Sequence, residues 1–151
     1  MKHRGFILVT TLAVCYLIGM VTNSTMPKAV DRQVYERWNG VVHNEAEIRH
    51  APPSSYISDS ASWSRLWKAW RENDELPQVN FREFVVLVGT ASGPNQVQLW
   101  PALDGAGNLT VSVTASKIGG PGFGYSMVTI GRTGIRTING NSLEPNASTE
   151  R

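Results

Sequence analysis

The stretch that decides the fold is Trp63-Ser64-Arg65-Leu66-Trp67-Lys68-Ala69-Trp70, which holds three of the five tryptophans in the chain. At about 100° per residue, its four large apolar side chains fall within about 100° of one another, whereas Arg65 and Lys68 lie on the opposite side. Three indoles carry too much apolar surface to be left in water, at roughly 25 cal/mol per Å². The pattern predicts an amphipathic helix with its apolar face against a sheet.

The flanking residues predict where this helix begins and ends. Ser58 or Ser60 is the predicted N-cap, and Asp59 is well placed in the positive first turn whichever serine caps the helix. Asn73 and then Pro77 end the helical pattern. Together these signals predict a helix of about fourteen residues.

The rest of the domain alternates between short apolar runs and turns rich in glycine, asparagine and proline. The continuously apolar residues 84–88 predict a central strand buried on both faces. The other predicted strands are residues 34–42, either as one strand or as a strand with a bend at Gly40, a short edge strand at 56–57, residues 97–100 and 109–114 joined as an antiparallel hairpin, 125–130 and 135–138. We therefore expect an α+β domain in which one Trp-rich helix packs on a mostly antiparallel sheet of about five to seven strands.

Residues 1–21 have the pattern of an export signal. Lys2 and Arg4 precede the uncharged run 5–21. This arrangement is typical of a signal peptide and also of an N-terminal membrane anchor, and both imply an extracytoplasmic domain, either secreted after cleavage or anchored. We expect a spacer over residues 22–29, a single domain over 30–140 and a flexible tail over 141–151.

The single cysteine bears on lipidation, and the balance of charges bears on nucleic-acid binding. Cys15 is the only cysteine and lies in the apolar run. Valine precedes Cys15 where a lipoprotein signal needs a small residue, which favours an apolar membrane cysteine over a lipidated one.

Without Lys2 and Arg4, basic and acidic residues are equal in number. Because nucleic acids require clustered basic charge, we expect no nucleic-acid partner.

No pattern in the chain is typical of a catalytic or metal site. His43 and His50 are the only histidines after the export segment, and their spacing matches no zinc motif. The sequence has no Gly-x-Ser-x-Gly, and the glycine cluster at residues 119–124 lacks the Lys-Ser/Thr ending of a phosphate loop. We expect no catalytic residue, metal or cofactor. An unrecognised hydrolase that uses His43 or His50 as its base is an alternative.

Two loops are the candidate binding surface, because loops usually carry binding. The second is rich in glycine and would present two aromatic rings to a partner. The candidate residues are Ser92, Gly93, Pro94 and Asn95 in the first loop, and Gly119, Gly120, Phe123 and Tyr125 in the second. These features favour a non-catalytic domain that binds an unknown envelope or secreted protein. Loop-mediated protease inhibition is an alternative.

One family has a similar order of features. Trp63 and Trp67 form Trp-x-x-x-Trp on a capped helix, and Val79-Asn80-Phe81 precedes an apolar strand, a glycine-containing turn and a hairpin. In this order, over about residues 35–140, the chain resembles the C-terminal domain of bacterial PrcB-type proteins, accessory lipoproteins associated with surface protease complexes. Asn80 stands where that family has aspartate, and residues 92–95 differ from its Thr-Gly-Gly-Tyr-like turn. The resemblance implies a non-enzymatic envelope domain that stabilises or docks onto another protein.

Overall fold

The computed structural model of the protein describes residues 28–29 and 35–143. The predicted export segment with Cys15, most of the predicted spacer and residues 144–151 of the predicted tail lie outside these ranges. Among the described residues, no helix is both long enough and apolar enough to cross a bilayer.

The described chain forms two sheets and one α-helix. The elements are β1 Lys28–Ala29, β2 Arg37–Val42, a 3₁₀ helix Glu45–His50, β3 Tyr56–Ile57, α1 Ser60–Trp70, β4 Phe84–Ser92, β5 Val97–Leu103, β6 Asn108–Ala115, β7 Phe123–Gly131, β8 Thr137–Ile138 and β9 Asn141–Ser142. The first sheet has the strand order β2-β7-β4-β3, and the second has the order β1-β5-β6-β8-β9. Neighbouring strands are antiparallel except for β6 and β8. The predicted α+β class with mostly antiparallel strands is confirmed.

The prediction of a single sheet with five to seven strands is wrong, and the reason lies in β4 and β7. Val86 and Val88 of β4 join a first core with α1, whereas Val85 and Leu87 join a second core with the second sheet. Because successive side chains of a strand point to opposite faces, a strand buried on both faces needs a covering layer on each side. The result is three layers, with the first sheet in the middle. β4 is the predicted central strand, and its burial on both faces is confirmed.

Helix α1 is shorter than predicted and has a different cap. Its N-cap is Asp59, whose carboxylate accepts a hydrogen bond from the Ser62 N–H at 2.8 Å, so the predicted serine cap is wrong. Partial burial raises the pKa of Asp59, but hydrogen bonds from Ser62 outweigh it and leave the pKa below its ordinary value. The helix has 11 residues because Arg71 leaves the helical region, with φ −138°. The Arg71 side chain instead bonds Asp74 at 2.6 Å.

The three tryptophans of α1 also fix irregular segments of the chain. Each is buried, and each indole N–H donates to a backbone carbonyl outside the helix. Trp63 donates to Pro77 at 3.0 Å, Trp67 to Asp74 at 3.1 Å, and Trp70 to Glu47 at 2.9 Å. The helix therefore holds the 3₁₀ helix and the loop before β4 in place, besides covering the first core.

The predicted hairpin and edge strand are both present. β5 and β6 pair from Val97–Ala115 to Leu103–Leu109, and β3 lies at the edge of the first sheet. In the hairpin turn, hydrogen bonds from the Asn108 side chain and backbone hold the pKa of Asp104 below its ordinary value. These bonds organise the turn of the predicted hairpin, in which aspartate and glycine are typical residues.

Of the two alternatives for the first predicted strand, the structure shows the one without a bend. β2 runs through Gly40, and its register with β7 is continuous from Arg37 to Val42. A side chain at Gly40 would meet the Tyr125 ring, with its Cβ 2.5 Å from Oη, so this position requires glycine for close packing. At the other end of the chain, β9 pairs with β8 and Leu143 is buried in the second core, so the ordered domain continues past residue 140.

Candidate functional site

The candidate site lies where the first sheet extends one strand beyond the second. β2 is the outer strand of the first sheet, and directly opposite residues of an antiparallel pair share one face. Val128 of β7 belongs to the second core, so its partner Arg37 faces the second sheet. Asn39 and Val41 lie two and four residues further along β2 and therefore face the same way. Yet all three side chains, Arg37, Asn39 and Val41, are exposed.

The space beside this uncovered face is bounded by β5, and we call it the groove. It consists of two adjoining cavities of about 310 and 360 Å³ that share Asn39 and Gln98. β5 is held in place by Leu99, which occupies the position where a side chain at Gly89 of β4 would lie. The residues that line the groove include Arg37, Asn39, Val41, Val97, Gln98, Leu99 and Trp100.

The backbone of β5 presents hydrogen-bonding groups to the groove. The Ser116 N–H donates to the Gln96 carbonyl at 3.1 Å, so Gln96 and the even-numbered residues after it direct their backbone groups towards β6. Val97, Leu99 and Pro101 therefore direct theirs away from β6. Proline, which has no N–H, suits such an edge position. Within the described ranges, the only strand on this edge is β1, which pairs with Ala102 and Leu103 alone.

The side chains along the groove combine apolar, amide and cationic groups. Trp100 is 57% exposed, and its indole N–H donates to the Thr114 hydroxyl at 2.9 Å across the outer face of the second sheet. Val41 is 39% exposed. The Arg37 guanidinium forms no ion pair with another described residue. The groove can therefore offer backbone pairing, an apolar contact and a positive charge to one ligand.

The two predicted loops lie together at one end of the groove. Asn95, only 6% exposed, joins them: its amide donates to the carbonyls of Ser92 and Ile118, and its carbonyl oxygen accepts from the Ile118 N–H at 2.6 Å. The Gly93 N–H donates to Gly122 at 2.8 Å. Pro94 packs near Gly120, where a Cβ would lie 3.1 Å from the proline ring, whereas Gly119 has open space around it. Thus Asn95 borders the groove as a structural residue that braces both loops.

The prediction that Phe123 and Tyr125 are presented to a partner is wrong for these two side chains. They are 1% and 3% exposed and pack on Trp70, with ring centroids 5.2 and 5.1 Å away. Both belong to β7 rather than to the glycine-rich loop, and their odd-numbered positions point into the first core. Burial raises the pKa of Tyr125, although Arg71 opposes this shift. The large hydrophobic residue that this loop exposes is Ile118.

A second cleft, of about 430 Å³, lies between the 3₁₀ helix and the start of α1. His50 Nε2 lies 3.3 Å from Glu47 Oε2, and Arg49 and Arg65 line the same cleft. No serine hydroxyl of this cleft bonds His50 within residues 35–143, and His43 does not line it. Nor do three His, Cys, Asp or Glu side chains of the described chain cluster as metal ligands would.

The sequence analysis missed Trp100, Arg37, Asn39 and Val41. A signal for Trp100 was present, because in Val97-Gln98-Leu99-Trp100 the tryptophan shares the polar face with Gln98 and not the apolar face with Val97 and Leu99. Comparison with protein-family models, curated proteins and solved structures found no match for the chain.

Proposed function

We propose that this is a non-catalytic, extracytoplasmic protein-binding or complex-stabilising domain of a bacterial cell envelope. The export pattern of residues 1–21 and the resemblance to PrcB-type accessory domains supply the location and the class. Either cleavage or anchoring of the N-terminal segment is compatible with the proposal.

The groove is the observation that carries the proposal. In the part of the chain that the structure describes, a strand face that belongs to the inside of a sandwich is uncovered there, beside a tryptophan that is 57% exposed. Tryptophan is among the residues most enriched at the centres of protein interfaces, because it combines a large apolar area with a hydrogen-bond donor. The groove thus has the composition of a protein interface.

Site-specific photocrosslinking in the full-length chain tests the proposal. A crosslinking amino acid is placed at Trp100 in the groove and, as matched controls, at Thr110 on the outer face of β6 and at Lys68 on the exposed side of α1. We expect a reproducible envelope or secreted protein to crosslink at position 100 and not at the controls. Absence of any crosslinked protein at all three positions, in cells grown under several conditions, would contradict a protein-binding role.

Loop-mediated protease inhibition is the second candidate, and one observation favours it. Asn95 fixes the conformation of the loop that carries Ile118, which is 50% exposed, and a fixed loop binds at a lower entropic cost than a mobile one. Titration of a protease panel with the full-length chain distinguishes the two candidates. Inhibition that Ile118→Ala abolishes and Trp100→Ala leaves intact would favour the inhibitor.

A further inference from the structure

We propose that the outer face of the hairpin formed by β5 and β6 binds an uncharged oligosaccharide, with one pyranose ring stacked on the Trp100 indole. This inference goes beyond the proposed protein-binding function and does not depend on it. Trp100 borders the groove, but its side chain lies on the side of the second sheet that faces away from β2.

The outer face is defined by the alternation of side chains along the two strands. Leu99 of β5 and Leu109 and Val111 of β6 point into the second core, so the residues between them point outward. Five of the outward side chains are exposed and one, an alanine, is half-buried. None of them is charged: they are Gln98, Trp100, Ala102, Thr110, Ser112 and Thr114.

The Trp100 indole is held on this face with its ring open to solvent. Ser112 lies directly opposite Trp100, and Thr114 lies opposite Gln98. The indole N–H donates to the Thr114 hydroxyl at 2.9 Å, so this bond runs diagonally across the two strands and orients the ring towards β6. Because the ring is 57% exposed and already oriented, it can bind a flat ligand at a lower entropic cost than a mobile side chain would.

The chemistry of this face matches that of a sugar. A pyranose ring carries C–H bonds on its faces and hydroxyl groups around its rim. The C–H groups bear a small positive charge and pack on the negative face of an indole. The rim hydroxyls need both donors and acceptors, which the Gln98 amide and the Ser112 hydroxyl supply, and the Thr114 hydroxyl keeps its proton to donate.

A protein partner matches the outer face less well. Protein interfaces have a core of several large apolar or aromatic side chains, surrounded by a polar rim. Among the six side chains of the outer face, Trp100 is the only large apolar one. A protein that binds in the groove would contact Val41 and Val97 instead, and would reach Trp100 at the border.

Fluorine NMR of the full-length chain labelled with 5-fluorotryptophan reads the site directly. The chain has five tryptophans, and Trp100→Phe assigns the Trp100 resonance. Cellotetraose and chitotetraose are the probes, because both are chains of uncharged pyranose rings with equatorial substituents. We expect at least one of them to shift the Trp100 resonance saturably, with a dissociation constant on the order of 1 mM or below, and to leave the other tryptophan resonances in place. Glycoside detergents are avoided, since their sugar headgroups would compete.

Saturation-transfer-difference NMR of the same oligosaccharides compares variants. Trp100→Ala should weaken binding at least about tenfold. Tyr35→Ala is the matched control and should leave binding unchanged, because Tyr35 is 53% exposed but packs on Phe84 of the first sheet. Thr114→Val removes the acceptor that orients the indole and should weaken binding about threefold, whereas Thr114→Ser keeps the acceptor and should not. Circular dichroism confirms that each variant is folded.

The outcomes separate the oligosaccharide site from the protein-binding function. A saturable shift of the Trp100 resonance that Trp100→Ala and not Tyr35→Ala abolishes as binding supports the site, even if no protein crosslinks at position 100. No shift with either oligosaccharide at concentrations about tenfold above the expected constant would refute the site, as would binding that Trp100→Ala leaves unchanged. If a protein crosslinks at position 100 and neither oligosaccharide shifts the resonance, the protein-binding function stands and the oligosaccharide site does not.

Discussion

Trp67→Ala is expected to remove a large part of the stability of the first core. The Trp67 ring lies 5.0 Å from Trp63 and 5.6 Å from Trp38, centroid to centroid, and the Arg71 guanidinium lies 4.8 Å above it. The side chain is 4% exposed, so alanine would leave a cavity that the two remaining indoles cannot fill without moving.

The size of the effect follows from these contacts. Replacing a buried tryptophan with alanine costs about 3 to 5 kcal/mol, mostly from lost transfer free energy and the cavity. The lost hydrogen bond to the Asp74 carbonyl adds little, because Asp74 is exposed and water can replace the indole. Trp67→Phe keeps one ring in the cluster and should therefore cost clearly less than Trp67→Ala.

Urea unfolding followed by far-ultraviolet circular dichroism measures the change without depending on tryptophan fluorescence. With a slope of about 2 kcal/mol/M, the midpoint of Trp67→Ala should fall by about 1.5 to 2.5 M. Trp100→Ala is the matched control, because Trp100 is largely exposed, and should stay within about 0.5 kcal/mol of the parent. Equal effects of the two substitutions would refute the assignment of Trp67 to the core and of Trp100 to the surface.

Three further predictions test other parts of the fold by the same urea assay. Gly40→Ala would place a Cβ 2.5 Å from the Tyr125 Oη and should destabilise by about 1 to 3 kcal/mol, whereas Gly105→Ala, with nothing within 4 Å, should be nearly neutral. Asp59→Ala should cost about 1 kcal/mol at pH 7, and Asp59→Ser much less. Because the folded-state pKa of Asp59 is lowered, its contribution to the free energy of unfolding is fully present above its ordinary pKa of 3.8 and is lost as the pH falls through the folded-state pKa. The stabilities of the parent and of Asp59→Ala should therefore converge in acid. A difference that stays constant with pH would contradict this. Asn95→Ala should cost about 1 to 3 kcal/mol by leaving the Ile118 N–H and Ser92 carbonyl unpaired, against little change for the exposed Gln96→Ala.

The sequence predicts the centre of this fold better than its periphery. Residues 84–88 are apolar without interruption and rich in valine, which is typical of a strand covered on both faces, so β4 could be placed in the middle of the domain. The same observation already implies two covering layers, one of which is α1. Strands at β5, β6 and β8 were predicted, but not that they form a second sheet, because the periodicity of a strand indicates its faces and not which strands lie beside it. The two residues of β9 are too few for any periodicity to be recognised.

The N-cap of α1 is a feature that residue preferences alone do not determine. Ser58, Asp59 and Ser60 are all good N-cap residues, and the sequence alone ranks them almost equally. In the structure Asp59 is the cap, with extended backbone angles of φ −142° and ψ 154° and with its carboxylate bonded to the Ser62 N–H. The spacing of Trp63, Leu66, Trp67 and Trp70 puts them on one face whichever residue caps the helix, so this spacing could not decide between the three caps.

The groove lies beside β2, an edge strand of the first sheet that carries polar residues on its inner face. In β2, Trp38, Gly40 and Val42 face α1, and the opposite face carries Arg37, Asn39 and Val41. An arginine and an asparagine on the inner face of a sandwich would each lose hydration if a neighbouring strand covered them without offering partners. The composition of β2 is thus consistent with a face that the domain's own second sheet leaves open.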